Sequence, residues 1–193
     1  MILEKKYYLC TIELYQNMEK ENIELDFKID KLTNSIENSV SGEVFDTVVS
    51  LFDAKDCKQL NKADWLFDWK LEHKTAGNQI YKLTTISNST IVQGLISLTD
   101  KGDHVFMNLI ESAKFNKGKK KLYLGVAGNL VAFACKLSFE KGYDGVVSFV
   151  AKTQLIRHYE QTIGAKCFMG NRMYIDTKEA FILTKKYFND FKL

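Results

Sequence analysis

The sequence predicts one α/β domain: a mixed, mostly antiparallel central sheet with a β-α-β unit at its heart and a closing C-terminal helix. Three observations lead there. Strand-like runs follow one another from Ile80 to Ile110 with only short turn signals between them, as in an antiparallel meander. Across Val105–Gly142 the apolar period changes from that of a strand to that of a helix, with a glycine-bearing turn, Leu124–Asn129, in between. Asp176 with Glu179 three residues on forms a helix-start signal before an apolar helical pattern over Lys178–Phe188. The domain divides into variable strands over 1–75, a central core over 76–176 and a C-terminal helix over 177–193.

Composition supports this class. At 193 residues with 46% hydrophobic and 12% aromatic residues, the chain suffices for one domain with its own core. The net charge of +3, with Arg157 and Arg172 the only arginines, does not favour nucleic acid. Cys10, Cys57, Cys135 and Cys167 lie far apart, and His73, His104 and His158 form no cluster, so no metal site is expected. Met1-Ile2-Leu3 runs at once into charges and no apolar run approaches membrane length. A reducing cytoplasm is the expected compartment, with no membrane partner.

In chain order, Tyr7–Tyr15 and the strictly alternating Ile23–Ile29 are expected to pair as antiparallel strands around the charged turn Lys20-Glu21-Asn22. Asn34–Gly42 reads as a loop or short helix. Val44–Phe52 reads as a strand, because Thr47, Val48 and Val49 are β-branched. Trp65, Phe67, Trp69 and Leu71 are expected on one face of a further strand, as core packing or as the border of a ligand groove. Ile80–Ile86, Ile91–Leu98 and the strand from Val105 follow, joined by the turn signals Thr75–Asn78, Ser87–Thr90 and Asp100–Asp103. Leu130, Val131, Ala134, Leu137 and Ser138 mark one face of the central helix, which Gly142–Gly145 ends. Val146–Val150 returns as a short buried strand, parallel to the one before the helix. A helix over Gln154–Thr162 closes at Gly164, and Ala165–Phe168 with Arg172–Ile175 forms a hairpin around Gly170-Asn171.

The chemistry-bearing stretch is Leu124-Gly125-Val126-Ala127-Gly128-Asn129. Small residues there allow close backbone approach, and the first free amides of the following helix suit a phosphate. Lys114, Lys117, Lys119, Lys120 and Lys121 lie just upstream; they would add positive potential, or simply form a solvated loop.

From about Ile80 to Ile175 the chain resembles the Gcn5-related N-acetyltransferases (GNAT). Their motif A is a strand followed by Q/R-x-x-G-x-G/A and a helix. Gly125 and Ala127 match its last two positions, and Leu122 stands where Gln or Arg is usual. The resemblance implies acetyl-CoA as acyl donor and an amine, on a small molecule or a protein, as acceptor. It places the pantetheine arm along Leu109, Ile110 and Glu111, and the pyrophosphate at the amides of Leu124, Gly125, Val126, Ala127, Gly128 and Asn129. It also matches N-x-x-A-x-x-x-Y-x-x-x-G to the helix after Val150, with Lys152 at the Asn position, Leu155 at the Ala, and Gly164 one residue late. Tyr159 is then the candidate general acid for the departing thiolate and Glu111 the candidate base; His158 is a weaker alternative. Lys152 joins the cofactor-binding set, and a homodimer is possible within the family. A CoA-binding or protein-interaction module without catalysis is the alternative function. Nucleic-acid binding through the lysines would need an aromatic platform, for which only Phe115 and Tyr123 are at hand.

Overall fold

The computed structural model of the protein describes residues 24–32 and 35–192. The proposed strand over Tyr7–Tyr15, the turn at Lys20-Glu21-Asn22 and Ile23 lie outside the described residues. The described chain builds β1 (Ile36–Asn38), β2 (Val44–Phe45), β3 (Thr47–Leu51), α1 (Ala54–Gln59), α2 (Trp69–Lys74), β4 (Asn78–Thr85), β5 (Asn88–Asp100) and β6 (Val105–Ser112). It continues with β7 (Tyr123–Leu124), α3 (Val126–Glu140), β8 (Val147–Val150), α4 (Ile156–Ile163), β9 (Lys166–Met169), β10 (Arg172–Ile175) and α5 (Thr177–Tyr187).

Seven strands form the main sheet in the order β3-β4-β5-β6-β8-β10-β9. All neighbours are antiparallel except β6 and β8, which the α3 crossover joins in parallel. This is the mixed, mostly antiparallel sheet with a β-α-β core and C-terminal helix that the sequence predicts. A second, three-stranded sheet, β2-β1-β7, holds the end of the lysine-rich loop against residues 36–45.

The α3 helix lies on β5 and β6 and against α5. Its close seat depends on Gly94 in β5, where an added Cβ would come within 2.8 Å of Val126 and 2.9 Å of Leu130. At the far end, Asp176 caps α5 by accepting from the Glu179 amide, as expected. Gly164 ends α4 in the left-handed conformation, φ 64°.

Three expectations change and one helix is new. Asn34–Gly42 contributes a strand, β1, which sits between the nearby β2 and β7, the latter more than 80 positions away in sequence and invisible to local pattern. Trp65–Leu71 is not a strand. Asp68 accepts from the Leu71 amide and starts α2; Trp65 and Trp69 go inward while Leu71 is left exposed. A short helix, α1, precedes it, begun by a capping box between Asp53 and Asp56. The central helix starts at Val126 rather than Leu130, so Val126–Asn129 form its first turn.

Residues 24–30 keep the predicted alternation. Leu25, Phe27 and Ile29 are buried, and Glu24, Asp26, Lys28 and Asp30 face out. Their described partner, however, is Ala151, just beyond β8, in a parallel bridge.

Candidate active site

The site begins where two strands part. β6 and β8 pair only at Val105–Val147 and Phe106–Ser148. Beyond that, β6 bulges at Asn108: Ser97 pairs with Leu109 and Leu98 with Met107, so one residue of β6 is skipped. The Asn108 amide is held across the face by Thr99 Oγ1, 2.8 Å away.

Peptide groups along β8 point alternately to its two neighbours. Val146 O takes the Val105 N–H of β6 at 3.1 Å, while Ala151 N–H points the other way, to Asn171 O at 2.9 Å. Val150 O therefore faces the opening towards β6. There it accepts the Leu25 N–H at 2.7 Å, and the Lys152 N–H returns to Leu25 O at 3.1 Å. Residues 24–30 thus lie in the opening between β6 and β8, on the β8 side.

The other side remains open as a cavity of about 730 Å³. Its walls include Ile110, Glu111 and Ser112 of β6, Val126 and Ala127 of α3, and Lys117, Lys119 and Lys121 of the basic loop. Phe27, Asp30 and Lys152 line it from the opposite side. Gly125 precedes α3 with φ 86°, a left-handed conformation glycine adopts without strain. Gly125, as N-cap, supplies no side chain to cap the helix start, so its amides and dipole favour an anion at the cavity's end. That donor set fits the phosphates of a nucleotide cofactor.

The Asp30 carboxylate is already there. Its Oδ1 accepts the Gly125 N–H at 3.0 Å, and its Oδ2 pairs with Lys121 Nζ at 2.8 Å.

Glu111 is 3% exposed and fully engaged. It accepts from the Leu66 N–H at 2.8 Å, the Phe67 N–H at 3.4 Å and Trp69 Nε1–H at 2.8 Å, and it pairs with Lys117. The four donors occupy the acceptor sites of its two oxygens. The geometry makes it the post that ties residues 66–69 and the basic loop to the end of β6.

Tyr159 is wholly buried. Its ring stacks on Phe27, with centroids 4.7 Å apart, and meets Phe149 edge-on. Its hydroxyl accepts the Phe27 N–H at 3.2 Å and donates towards Phe27 O at 2.9 Å and Leu25 O at 3.3 Å. Burial pushes the phenol well above its usual range, so it stays protonated at neutral pH. His158 Nε2 accepts the Ile29 N–H at 2.9 Å. Burial, with Lys28 nearby, lowers its pKa.

Of the predicted cofactor residues, Ile110, Glu111, Val126, Ala127 and Lys152 meet at the cavity. Leu109 points into the core, and Leu124 is a β7 residue paired with Glu37. Gly128 packs under Tyr187 and Leu32. Asn129 spends its amide on Gly125 O and its side chain on Thr47. Sequence reasoning missed Asp30 and Phe27, whose register continues the alternation of residues 23–29, and Asn116. The latter is buried and fixes the basic loop by donating to Gln93 and accepting the Tyr123 N–H.

A second cavity, of about 500 Å³, is bordered by Asp53, Asp56, Asp64 and Lys82. Its carboxylates already cap helices or pair within the fold. Among the described residues no group of side chains could hold a metal ion, and no helix is long and apolar enough to cross a membrane.

No protein-family model matches the sequence, and no curated protein does. Several solved structures are similar in fold. One is a mutant form of the spermidine/spermine N-acetyltransferase SpeG from Vibrio cholerae, at 14% identity over 70% of this chain and 96% of that one, TM-score 0.49. A Bacillus subtilis acetyltransferase in complex with CoA aligns at 13% identity over 68% and 98%, TM-score 0.45. The Campylobacter jejuni N-acetyltransferase PseH aligns at 12% over 66% and 94%, TM-score 0.43. At such identities and scores these likenesses do not assign an activity to this chain.

Proposed function

We propose that the chain is an acetyl-CoA-dependent N-acetyltransferase of GNAT type, with an amine as acceptor. One observation carries this reading: the parting of β6 and β8 opens a cavity that ends at the glycine-preceded start of α3 and is walled by Lys117, Lys119 and Lys121. A linear cofactor with an amide-bearing arm and a polyphosphate head suits such a groove. The arm can pair with strand backbone, and the head can meet helix amides and ammonium groups.

Acetyl-CoA supplies, when bound, a thioester carbonyl open to an amine and a thiolate leaving group. The residues of this chain orient and solvate that exchange. Ile110 and Ser112 line the arm's path, and Val126 and Ala127 offer the helix start. Tyr159 is the proposed proton donor to the departing thiolate; in the free protein its hydroxyl is held by the backbone of Phe27 and Leu25. Glu111 holds the groove wall rather than the acceptor's proton. Water is left as the base.

A second reading, a CoA-binding or interaction module without catalysis, is favoured by one observation: the Tyr159 hydroxyl is bonded to the backbone of Leu25 and Phe27 and does not line the open cavity.

The test is calorimetric titration with acetyl-CoA and with CoA, on wild type and on Lys119→Glu. Lys119 is an exposed wall of the cavity, so its reversal spares the core. The reading expects saturable binding that weakens roughly tenfold in the variant, as expected for a charge reversed beside a polyphosphate. Binding without turnover of any amine would favour the module. No binding of acetyl-CoA or CoA, to wild type or to Asp30→Ala, which removes the carboxylate from the Gly125 amide, would end the acetyl-CoA reading.

A further inference from the structure

We propose that residues 24–30 are a built-in competitor for the acyl-CoA groove, so that this segment regulates the site described above. The inference rests on the acetyl-CoA reading and concerns what occupies that groove in the free protein.

The segment makes, one after another, the contacts that a pantetheine arm and pyrophosphate would claim. At one end its backbone enters the β6–β8 opening as a strand would, with Leu25 N–H on Val150 O and Lys152 N–H on Leu25 O. In the middle the Phe27 peptide takes up the Tyr159 hydroxyl from both its N–H and its carbonyl side. At the other end an anion, the Asp30 carboxylate, sits on the Gly125 amide and on Lys121. From Leu25 to Asp30 an extended chain spans about 17 Å, a reach comparable with that of a pantetheine arm. A backbone amide chain ending in an anion is the chemical outline of the cofactor itself.

The flanks show how the competitor is mounted. Outward-facing Asp26 pairs with Lys152 at 2.5 Å, and Asn171 bonds Glu24 at 2.7 Å. These exposed contacts are individually weak and can be exchanged for water. Downstream, β1 pairs with β7, so the segment is tethered beside the basic loop even when it leaves the groove. Such tethering gives it a high local concentration and makes it an effective rival to a free ligand. Withdrawal would uncover three things together: the Val150 carbonyl, the Tyr159 hydroxyl and the Gly125 amide. A proton donor and a phosphate site would then become available in one movement.

The apparent affinity for CoA is the intrinsic affinity scaled by the fraction of molecules with the segment out. Asp30→Ala removes the anion at the helix start, and Asp26→Asn removes the ion pair at the opposite end. Both residues lie outside the hydrophobic core. The experiment compares CoA affinity by calorimetry for wild type and the two full-length variants. It also follows hydrogen exchange at the Leu25 and Phe27 amides with and without CoA.

The proposal expects CoA to bind the variants roughly tenfold more tightly than wild type, and CoA to speed exchange at Leu25 and Phe27, where a ligand ordinarily slows it. Binding to a variant but not to wild type would support it further. Equal affinity in all three proteins, with those amides still protected in the complex, would overturn it. The segment would then be a permanent wall, and CoA would lie beside it along β6; the acetyl-CoA reading would survive. No binding to any of the three would remove both readings.

Discussion

Replacing Glu111 by Gln separates an anchoring carboxylate from a catalytic one. Four donors converge on its two oxygens: two backbone amides, an indole N–H and an ammonium. A glutamine keeps one acceptor oxygen and turns the other into an NH₂ that faces donors. On either flip two of the four bonds are lost. If the NH₂ takes the Oε2 place, the Trp69 indole, buried to 1% exposure, is stranded. Hydrogen bonds to charged groups are worth about 1.5–3 kcal/mol each, and a buried donor left unpaired costs about 1–3 kcal/mol. The loss should come to roughly 3 kcal/mol, near the lower end for breaking a buried pair. For a chain of this size that lowers the unfolding midpoint by about 6–12 °C. Thermal unfolding followed by tryptophan fluorescence reads it directly, because Trp65 and Trp69 are the only tryptophans and both sit beside the anchor. A variant as stable as wild type but devoid of transferase activity would refute the anchoring argument and restore Glu111 as the base.

Two further substitutions probe the frame of the groove. Gly94→Ala puts a Cβ within 2.8–3.1 Å of Val126, Leu130 and the Glu111 carbonyl oxygen. Moving α3 off the sheet should cost about 1–3 kcal/mol by denaturant unfolding, and CoA affinity should fall with it because the start of α3 is displaced. His158 gives a pH dependence. Its folded pKa lies below the ordinary 6.5, with burial the main cause and Lys28 the nearby charge, and its neutral ring accepts the Ile29 N–H. The contribution is complete above 6.5 and is lost as pH falls from there through the lowered value, because the unfolded chain binds the proton first. Comparing unfolding midpoints at about pH 7.5 and about pH 5 should show a smaller drop for His158→Gln than for wild type; equal drops would mean that the ring contributes nothing to this dependence.

The sheet from β4 onward was legible because its signals are local. Gly77-Asn78, Ser87–Thr90 and Asp100–Asp103 mark turns between apolar runs, and each run pairs with its neighbour in sequence. The change of period after Val105 identified the crossover for the same reason. Its boundary was missed by four residues because Ala127, Gly128 and Asn129 are small or polar and carry no apolar face, yet Val126–Asn129 form the first turn of the helix. Trp65–Leu71 misled for a different reason. Its period of two is genuine, but Asp68 caps a helix in the middle of it, and the partner that fixes its geometry is Glu111, more than forty residues away.

The site itself divides along the same line. Residues supplied by the turn and the strand before it, Ile110, Val126 and Ala127, could be named from a motif because motif and cavity share one piece of chain. The occupant of the opening could not. Residues 24–30 alternate as any half-buried strand does, and alternation states only that one face is covered, not by what. Here the cover is the opening between β6 and β8, which pair only at Val105–Val147 and Phe106–Ser148. The same burial that hides Leu25 and Phe27 therefore also withdraws Tyr159 and the Gly125 amide from solvent. Whether Tyr159 acts as an acid is then a question about where seven residues sit as much as about the tyrosine. Tyr159→Phe alone cannot answer it, since the substitution removes the proposed acid and loosens the proposed competitor together. Asp30→Ala leaves the hydroxyl in place and weakens only the segment's far hold, so a gain of turnover there would tie the tyrosine's availability to the segment's position.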